Sequence, residues 1–242
     1  MATIFINRKN VNEIFRSVIA LTALLLSIAA SGERRIHIIE SPNLHCNDTV
    51  VVYSPDASAN HRDCPALFLL HGWGGKWSSW EEHSDLQAVS NRFGFRIICP
   101  DGFKDSWYII FLDRPDLFAG AGSMSGVLDL KYSAGSKELI PPMVGATHIE
   151  DPECKAIGAI HRLERLVDVC GEGAPGKVLV ISCGSSDTKF LPASEDFVRK
   201  CLEMNLKHIA LFSPGKHRWN YWTWVLPYHI DWFSQNISDT TR

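Results

Sequence analysis

Four short apolar runs decide most of what this chain can become: "ALFLL" (66–70), "FRIIC" (95–99), "KVLVIS" (177–182) and "HIALF" (208–212). Each is continuous rather than alternating, which is the pattern of strands buried on both faces of a parallel sheet. Helical stripes separate them. Leu86, Val89 and Phe93 recur at i, i+3 and i+7, with Gly94 placed as a C-cap. Ile157, Ile160, Leu163, Leu166, Val167 and Cys170 make a second stripe, and Phe197, Val198, Cys201, Leu202 and Leu206 a third. Strands alternating with helices give an α/β fold, a mostly parallel sheet flanked by helices. Two earlier runs, "RIHII" (35–39) and "VVVY" (50–53), are joined through the polar "ESPNLHCNDT" and read as an antiparallel pair at the start of the sheet.

The first 32 residues read differently. Arg8, Lys9 and Arg16 precede the apolar run "VIALTALLLSIAA" (18–30), and small residues follow at Ala29, Ala30, Ser31 and Gly32. That order is the order of a signal peptide, and the run is shorter than the ~20 residues of a spanning helix. The expectation is an exported protein, periplasmic or extracellular, with a leader over 1–32, one domain over 33–242 and no stable membrane span once the leader is removed. Of seven cysteines at least one must stay unpaired, and none forms a C-x-x-C pair. Cys99 and Cys183 fall inside strands, as small buried hydrophobes do. One disulfide after export is open to two pairings, Cys154 with Cys170 or Cys46 with Cys64. A formal net charge of -3 without a basic run gives no reason to expect nucleic acid. No His or Asp spacing suits a metal, and no cofactor is implied.

In parallel sheets ligands bind beyond the carboxyl ends of the strands. After "ALFLL" comes "HGWGG", after "KVLVIS" comes "CGSSD", and after "HIALF" comes "SPGKHRWNYW". Asp187 and His217 thus stand thirty positions apart, with room for one helix and one strand between them. They follow the acid-then-base order of a serine hydrolase triad. Such a carboxylate fixes the imidazole tautomer and stabilises the imidazolium that forms when His takes a proton. "HGWGG" suits a loop whose backbone N–H groups point at a developing oxyanion, with His71 holding the loop. The nucleophile is the difficulty. A serine elbow needs G-x-S-x-G. In "AGAGSMSG" (119–126) neither Ser123 nor Ser125 has glycines two places to either side, and no other segment matches.

"LFLLHGWGGKWSSW", "ICPDG", "DSWY", "RPDLFAGAGSMSGVLDL", "CGSSD" and "SPGKHRWNYW", in this order, resemble the esterase D-like branch of the α/β-hydrolases. That branch holds S-formylglutathione hydrolases, small secreted carboxylesterases and feruloyl or acetyl-xylan esterases. The resemblance covers about residues 33 to 236. It implies the α/β-hydrolase fold and hydrolysis of small acyl esters or acylated sugars through an acyl-enzyme. It also implies Asp187 as triad acid, His217 as base, Gly72 and Trp73 as oxyanion donors, and Trp219, Tyr221 and Trp222 around the substrate; Trp107 of "DSWY" is a candidate for substrate binding or for packing at the core or rim. In the family a helix, a strand and an elbow of the form G-L-S-M-G-G stand between segments like "DSWY" and "RPDLF". Here only "IIFLD" (109–113) does, so roughly 50 residues are missing, the central elbow strand among them.

Two readings of the remnant stand. Either Ser123 or Ser125 has taken the nucleophile's place, or both are ordinary strand-end residues and the chain is an impaired esterase. An inactive hydrolase-like binding protein, or the product of a gene that lost a segment, is the alternative to an enzyme. For the fold, an unfilled central position would leave buried strand edges unpaired. The expectation is therefore direct pairing of "FRIIC" with "AGAGS", with 109–117 as a short crossover helix.

Overall fold

A computed structural model describes residues 2–6, 34–41, 46–56, 64–101, 110–132, 136–143 and 145–237. Among them one sheet of eight strands forms: β1 (Ala2–Ile6), β2 (Arg34–Ser41), β3 (Cys46–Tyr53), β4 (Ala66–Leu69), β5 (Arg96–Pro100), β6 (Phe118–Met124), β7 (Val178–Gly184) and β8 (His208–Ser213). Their order across the sheet is β2-β3-β5-β4-β1-β6-β7-β8. The continuous runs pair in parallel, β4 with β5, β6 with β7 and β7 with β8. The expected antiparallel pair at one edge is β2–β3, in register from Arg34↔Tyr53 to Ser41↔Cys46.

The expected pairing of "FRIIC" with "AGAGS" does not occur. Both edges of β5 are taken, one by β3 and the other by β4, so the strand facing the central position is β4. That position is filled by β1, which runs antiparallel to both neighbours, Thr3 opposite Leu69 and Gly122, Ile4 opposite Phe68 and Ala121. The segment "ATIFI" is β-branched and aromatic, as a strand buried in mid-sheet requires. The physical premise behind the expectation holds: each buried backbone group left unpaired costs about 1–3 kcal/mol. The chain meets it with a local strand instead of closing the gap. Of the residues expected as a leader, 2–6 are β1 and 7–32 lie outside the described residues.

Helices follow the stripes. α1 (Leu86–Phe93) starts where Asp85 accepts from the Ala88 amide at 2.9 Å and stops at Gly94, whose φ of 69° lets its amide reach Ser90 O. α2 (Ile110–Asp113) and a 3-10 turn at Pro115–Leu117 form the short crossover into β6. Beyond β6, α3 (Ser136–Met143) precedes the second stripe. That stripe breaks at Gly158 into α4 (Pro152–Ile157) and α5 (Leu163–Cys170), because Gly158 is extended (φ -75°, ψ 132°). α6 (Leu191–Glu203) and α7 (Trp219–Ile237) complete the layers. One core joins the sheet to α1 and α7 through Leu67, Leu69, Ile97, Val180, Leu226 and Phe233. The opposite face packs Leu179 and Ile181 against Leu163, Leu166 and Phe197. Odd and even residues of one strand thus serve different cores, the geometry of a sheet covered on both sides. Cys154 and Cys170 are free thiols, so the disulfide between them, one of the two open to the sequence, does not form, while the side chain of Cys46 lies outside those described. No helix among the described residues is long and apolar enough to cross a membrane.

Behind the sheet, α7 carries His229, fully buried, with its Nε2 2.8 Å from Ser182 Oγ. The Ser182 hydroxyl donates to Ser123 O at 3.3 Å, so His229 donates through Nε2 and its Nδ1 has no partner. Burial pushes the pKa of His229 from 6.5 down to about 3. The unfolded chain therefore binds a proton across that window and the folded chain does not, so stability rises with pH between them and falls on acidification. From pH 7 to 4.5 the loss at this residue is about 2–3 kcal/mol. Urea unfolding should show His229→Leu losing less stability than the parent chain over that interval; equal losses would mean that His229 is not the group responsible.

Candidate active site

Two loops meet at the carboxyl rim of β7 and β8. Ser185 N donates to Ser213 O at 2.8 Å and Ser186 N to Gly215 O at 2.9 Å, which binds the loop after β7 to the loop after β8. The contact is so close that only glycine fits: a Cβ on Gly184 would stand 2.4 Å from Gly215 O, and one on Gly215 2.3 Å from the Tyr221 ring. This approach brings Asp187 and His217 together, Nδ1 to Oδ2 at 2.9 Å. A carboxylate only accepts, so Nδ1–H donates and Nε2 keeps its lone pair free to act as a base. The second oxygen, Oδ1, accepts from the Phe190 amide at 3.3 Å. Asp187 therefore closes the turn before α6 and holds His217 at once. Its side chain is 2 % exposed against 42 % for His217, so an anchored acid supports a base open to solvent.

Aromatic rings frame that base. Phe190 lies 4.5 Å from the imidazole, and Trp222 meets it edge-on at 4.9 Å. Burial lowers the pKa of His217 below 6.5, and the hydrogen bond to Asp187 opposes that without reversing it. The imidazole is thus neutral at pH 7, the state a general base needs. Trp219 stacks on His83 at 4.1 Å and packs edge-on against Trp80 and Trp222 at 5.1 and 5.2 Å. It ties the loop after β8 to the segment after β4. Tyr221 does not join the wall. It is buried in the core, its hydroxyl donates to Leu211 O at 3.3 Å, and its ring supports Gly215 from below. Trp107 lies outside the described residues.

The "HGWGG" loop is a closed turn. Gly75 N donates to Gly72 O at 2.9 Å, and Gly74 takes φ 68°. His71 is buried with both ring nitrogens on backbone oxygens, Nδ1 2.7 Å from Gly72 O and Nε2 on Asp101 O. A Cβ at Gly75 would come within 2.8 Å of that ring, which explains the glycine. The Asp101 carboxylate accepts from Trp77 N at 3.1 Å, so residue 101 fixes this loop from two sides. Gly72 is half-buried and Trp73 is exposed on the same rim.

Neither serine of the remnant is hydrogen-bonded to the base. Ser123 Oγ accepts from Gly126 N at 3.2 Å and closes the turn after β6. Ser125 takes φ 54°, and its amide donates to Ser182 O at 2.7 Å. Its hydroxyl is buried beside the Cys183 thiol, which burial pushes up to about 11. Contact with the dyad runs through that sulfur, 3.8 Å from Asp187 Oδ2, the oxygen that also accepts from His217 Nδ1. A parallel strand in the central position would end at the rim and could carry an elbow there. β1 runs the other way, so its first residue, Ala2, occupies that end, opposite Ser123. Phe190 and His83 were not legible as site residues; Phe190 carried one weak signal, its place three residues after the acid.

No protein-family model matches the chain, and no curated protein sequence does. Solved structures do. The fluorophosphonate-binding serine hydrolase FphF of Staphylococcus aureus, in a substrate-bound structure, superposes with a TM-score of 0.68 at 18% identity, over 85% of this chain and 99% of that one. An S-formylglutathione hydrolase from Agrobacterium tumefaciens gives 0.69 at 14% identity, over 87% and 98%. A ferulic acid esterase gives 0.66 at 13%, over 86% and 100%. Likeness at such low identity concerns architecture. Taken with the strand order and its flanking helices, it establishes that this chain has the α/β-hydrolase fold.

Proposed function

We propose that the chain is a carboxylic-ester hydrolase of the esterase type, acting on small acyl esters or acylated sugars, and impaired by the want of an elbow serine. The observation that carries this reading is the bond of 2.9 Å between Asp187 Oδ2 and His217 Nδ1, with the base exposed and the acid buried. Structural neighbours named as serine hydrolase, S-formylglutathione hydrolase and ferulic acid esterase support the substrate class.

The chemistry follows from what remains. Asp187 holds the Nδ1–H tautomer, so Nε2 can take a proton from a water molecule as its oxygen attacks the ester carbonyl. The carbonyl π electrons move onto oxygen, where the Gly72 and Trp73 amides receive the charge. Collapse expels the alkoxide, which regains a proton from the His217 imidazolium. No acyl-enzyme forms. Removal of the serine from a triad enzyme costs roughly 10⁶ in kcat and leaves ~10³–10⁴ over the uncatalysed reaction, which sets the scale expected here.

Purified protein should hydrolyse p-nitrophenyl acetate slowly, and His217→Ala should lower that rate about 10²-fold, the usual contribution of a positioned base. Ser123→Ala and Ser125→Ala should leave it within about twofold, since neither hydroxyl is hydrogen-bonded to the base. A rate unaffected by His217→Ala would refute the proposal, and a collapse in one serine variant would make that serine the nucleophile.

The pH profile offers a second check. His217 must be neutral to accept a proton, and its pKa is lowered from 6.5. The rate should be level through neutral pH and fall only below 6.5. An acid limb centred above 6.5 would mean that another group is the base.

A further inference from the structure

We propose that the central position between β4 and β6 is a strand-acceptor site that Ala2–Ile6 fills, so that this segment is a working part of the folded sheet. The pairing is the first ground. β1 has both edges engaged, Thr3–Ile6 with Ala66–Leu69 on one side and Ala2–Ile6 with residues 118–123 on the other. β4 and β6 have their remaining edges committed to β5 and β7. Without β1, both would present bare edges in the middle of the sheet.

Burial is the second ground. Leu67 and Leu69 of β4 and Phe118 and Ala119 of β6 are buried, and the cores on the two faces meet through this part of the sheet. Water cannot satisfy edges in such a place, and unpaired backbone groups are strongly disfavoured there. Closing the position instead would shift β6, β7, β8 and their helices by one strand spacing, about 4.8 Å, and undo the packing of α7. The third ground is the direction of β1. It is antiparallel where its neighbours are mutually parallel, with a register irregularity between Phe5 and Ile6, as a segment recruited into a vacancy would be. Residues 7–33 easily span the four strand positions from β1 to β2, since an extended chain covers ~3.3 Å per residue.

Cleavage near Gly32, as a leader reading requires, would cut β1 from the rest of the sheet. The two accounts therefore differ in a measurable way. A site-specific protease sequence placed at residues 29–33 of the full chain allows the bond to be cut after folding. The N-terminal fragment should stay with the remainder through native size-exclusion and leave only on unfolding, or its departure should cause the remainder to unfold or aggregate. Intact-mass measurement of the soluble, folded full chain should find the N-terminal strand present. In the uncut chain Ile4→Pro, which removes a backbone donor from the ladder, should lower Tm by about 5–10 °C or prevent folding. A fragment that departs while the remainder keeps its melting temperature would overturn the proposal. So would an Ile4→Pro chain as stable as the parent.

Discussion

The structure depends on an unbroken hydrogen-bond ladder across its sheet. Five of the eight strands described run in one direction from β5 through β4 to β6, β7 and β8, and the rim at their carboxyl ends carries the glycine loop, Asp187 and His217. Parallel pairing is non-local, so the two halves of this rim stay in register only if the position between β4 and β6 is filled. "HGWGG" leaves β4 on one side of it, while Asp187 and His217 leave β7 and β8 on the other. Filling that position with β1 keeps the glycine loop and the acid–base pair on one rim. Trp219, stacked on His83 and packed against Trp222, then links them directly.

A filled ladder is not a complete active site. The direction of β1 decides what stands at the rim, and an antiparallel strand brings its first residue there instead of a strand-to-helix elbow. In the function proposed above, catalysis falls to the part of the constellation that the ladder preserves, a base held by a buried acid. The glycines at 184 and 215 support that part, because their backbone contact brings the two loops together. Tyr221, beneath them, contributes by packing.

Much of this was legible in the sequence. The parallel runs announced themselves by continuous apolar residues, and Asp187 and His217 by their order and spacing after successive strands. The helix at 86–93 was marked by its stripe and by Gly94. What escaped was set by long-range geometry. "ATIFI" is as apolar as any buried strand, yet nothing local in it says that it pairs between two strands more than sixty and more than a hundred residues further along the chain. Strand order was equally hidden: nothing in "FRIIC" says that "ALFLL" will lie between it and the centre. Tyr221 looks like its neighbours Trp219 and Trp222 in composition, but the turn of α7 points it at Gly215. Side chains at one rim are separated by a single helical step, which spacing alone does not resolve.

The central claim is that the base survives without a serine to activate. Intact-protein mass spectrometry after exposure to a fluorophosphonate probe tests this directly, because the reagent bonds covalently to a serine oxygen only where a neighbouring base has made it nucleophilic. The account predicts no adduct at any serine of the folded chain under conditions that fully modify an intact serine esterase. A stoichiometric adduct that maps to Ser123 or Ser125 and disappears in His217→Ala would contradict it.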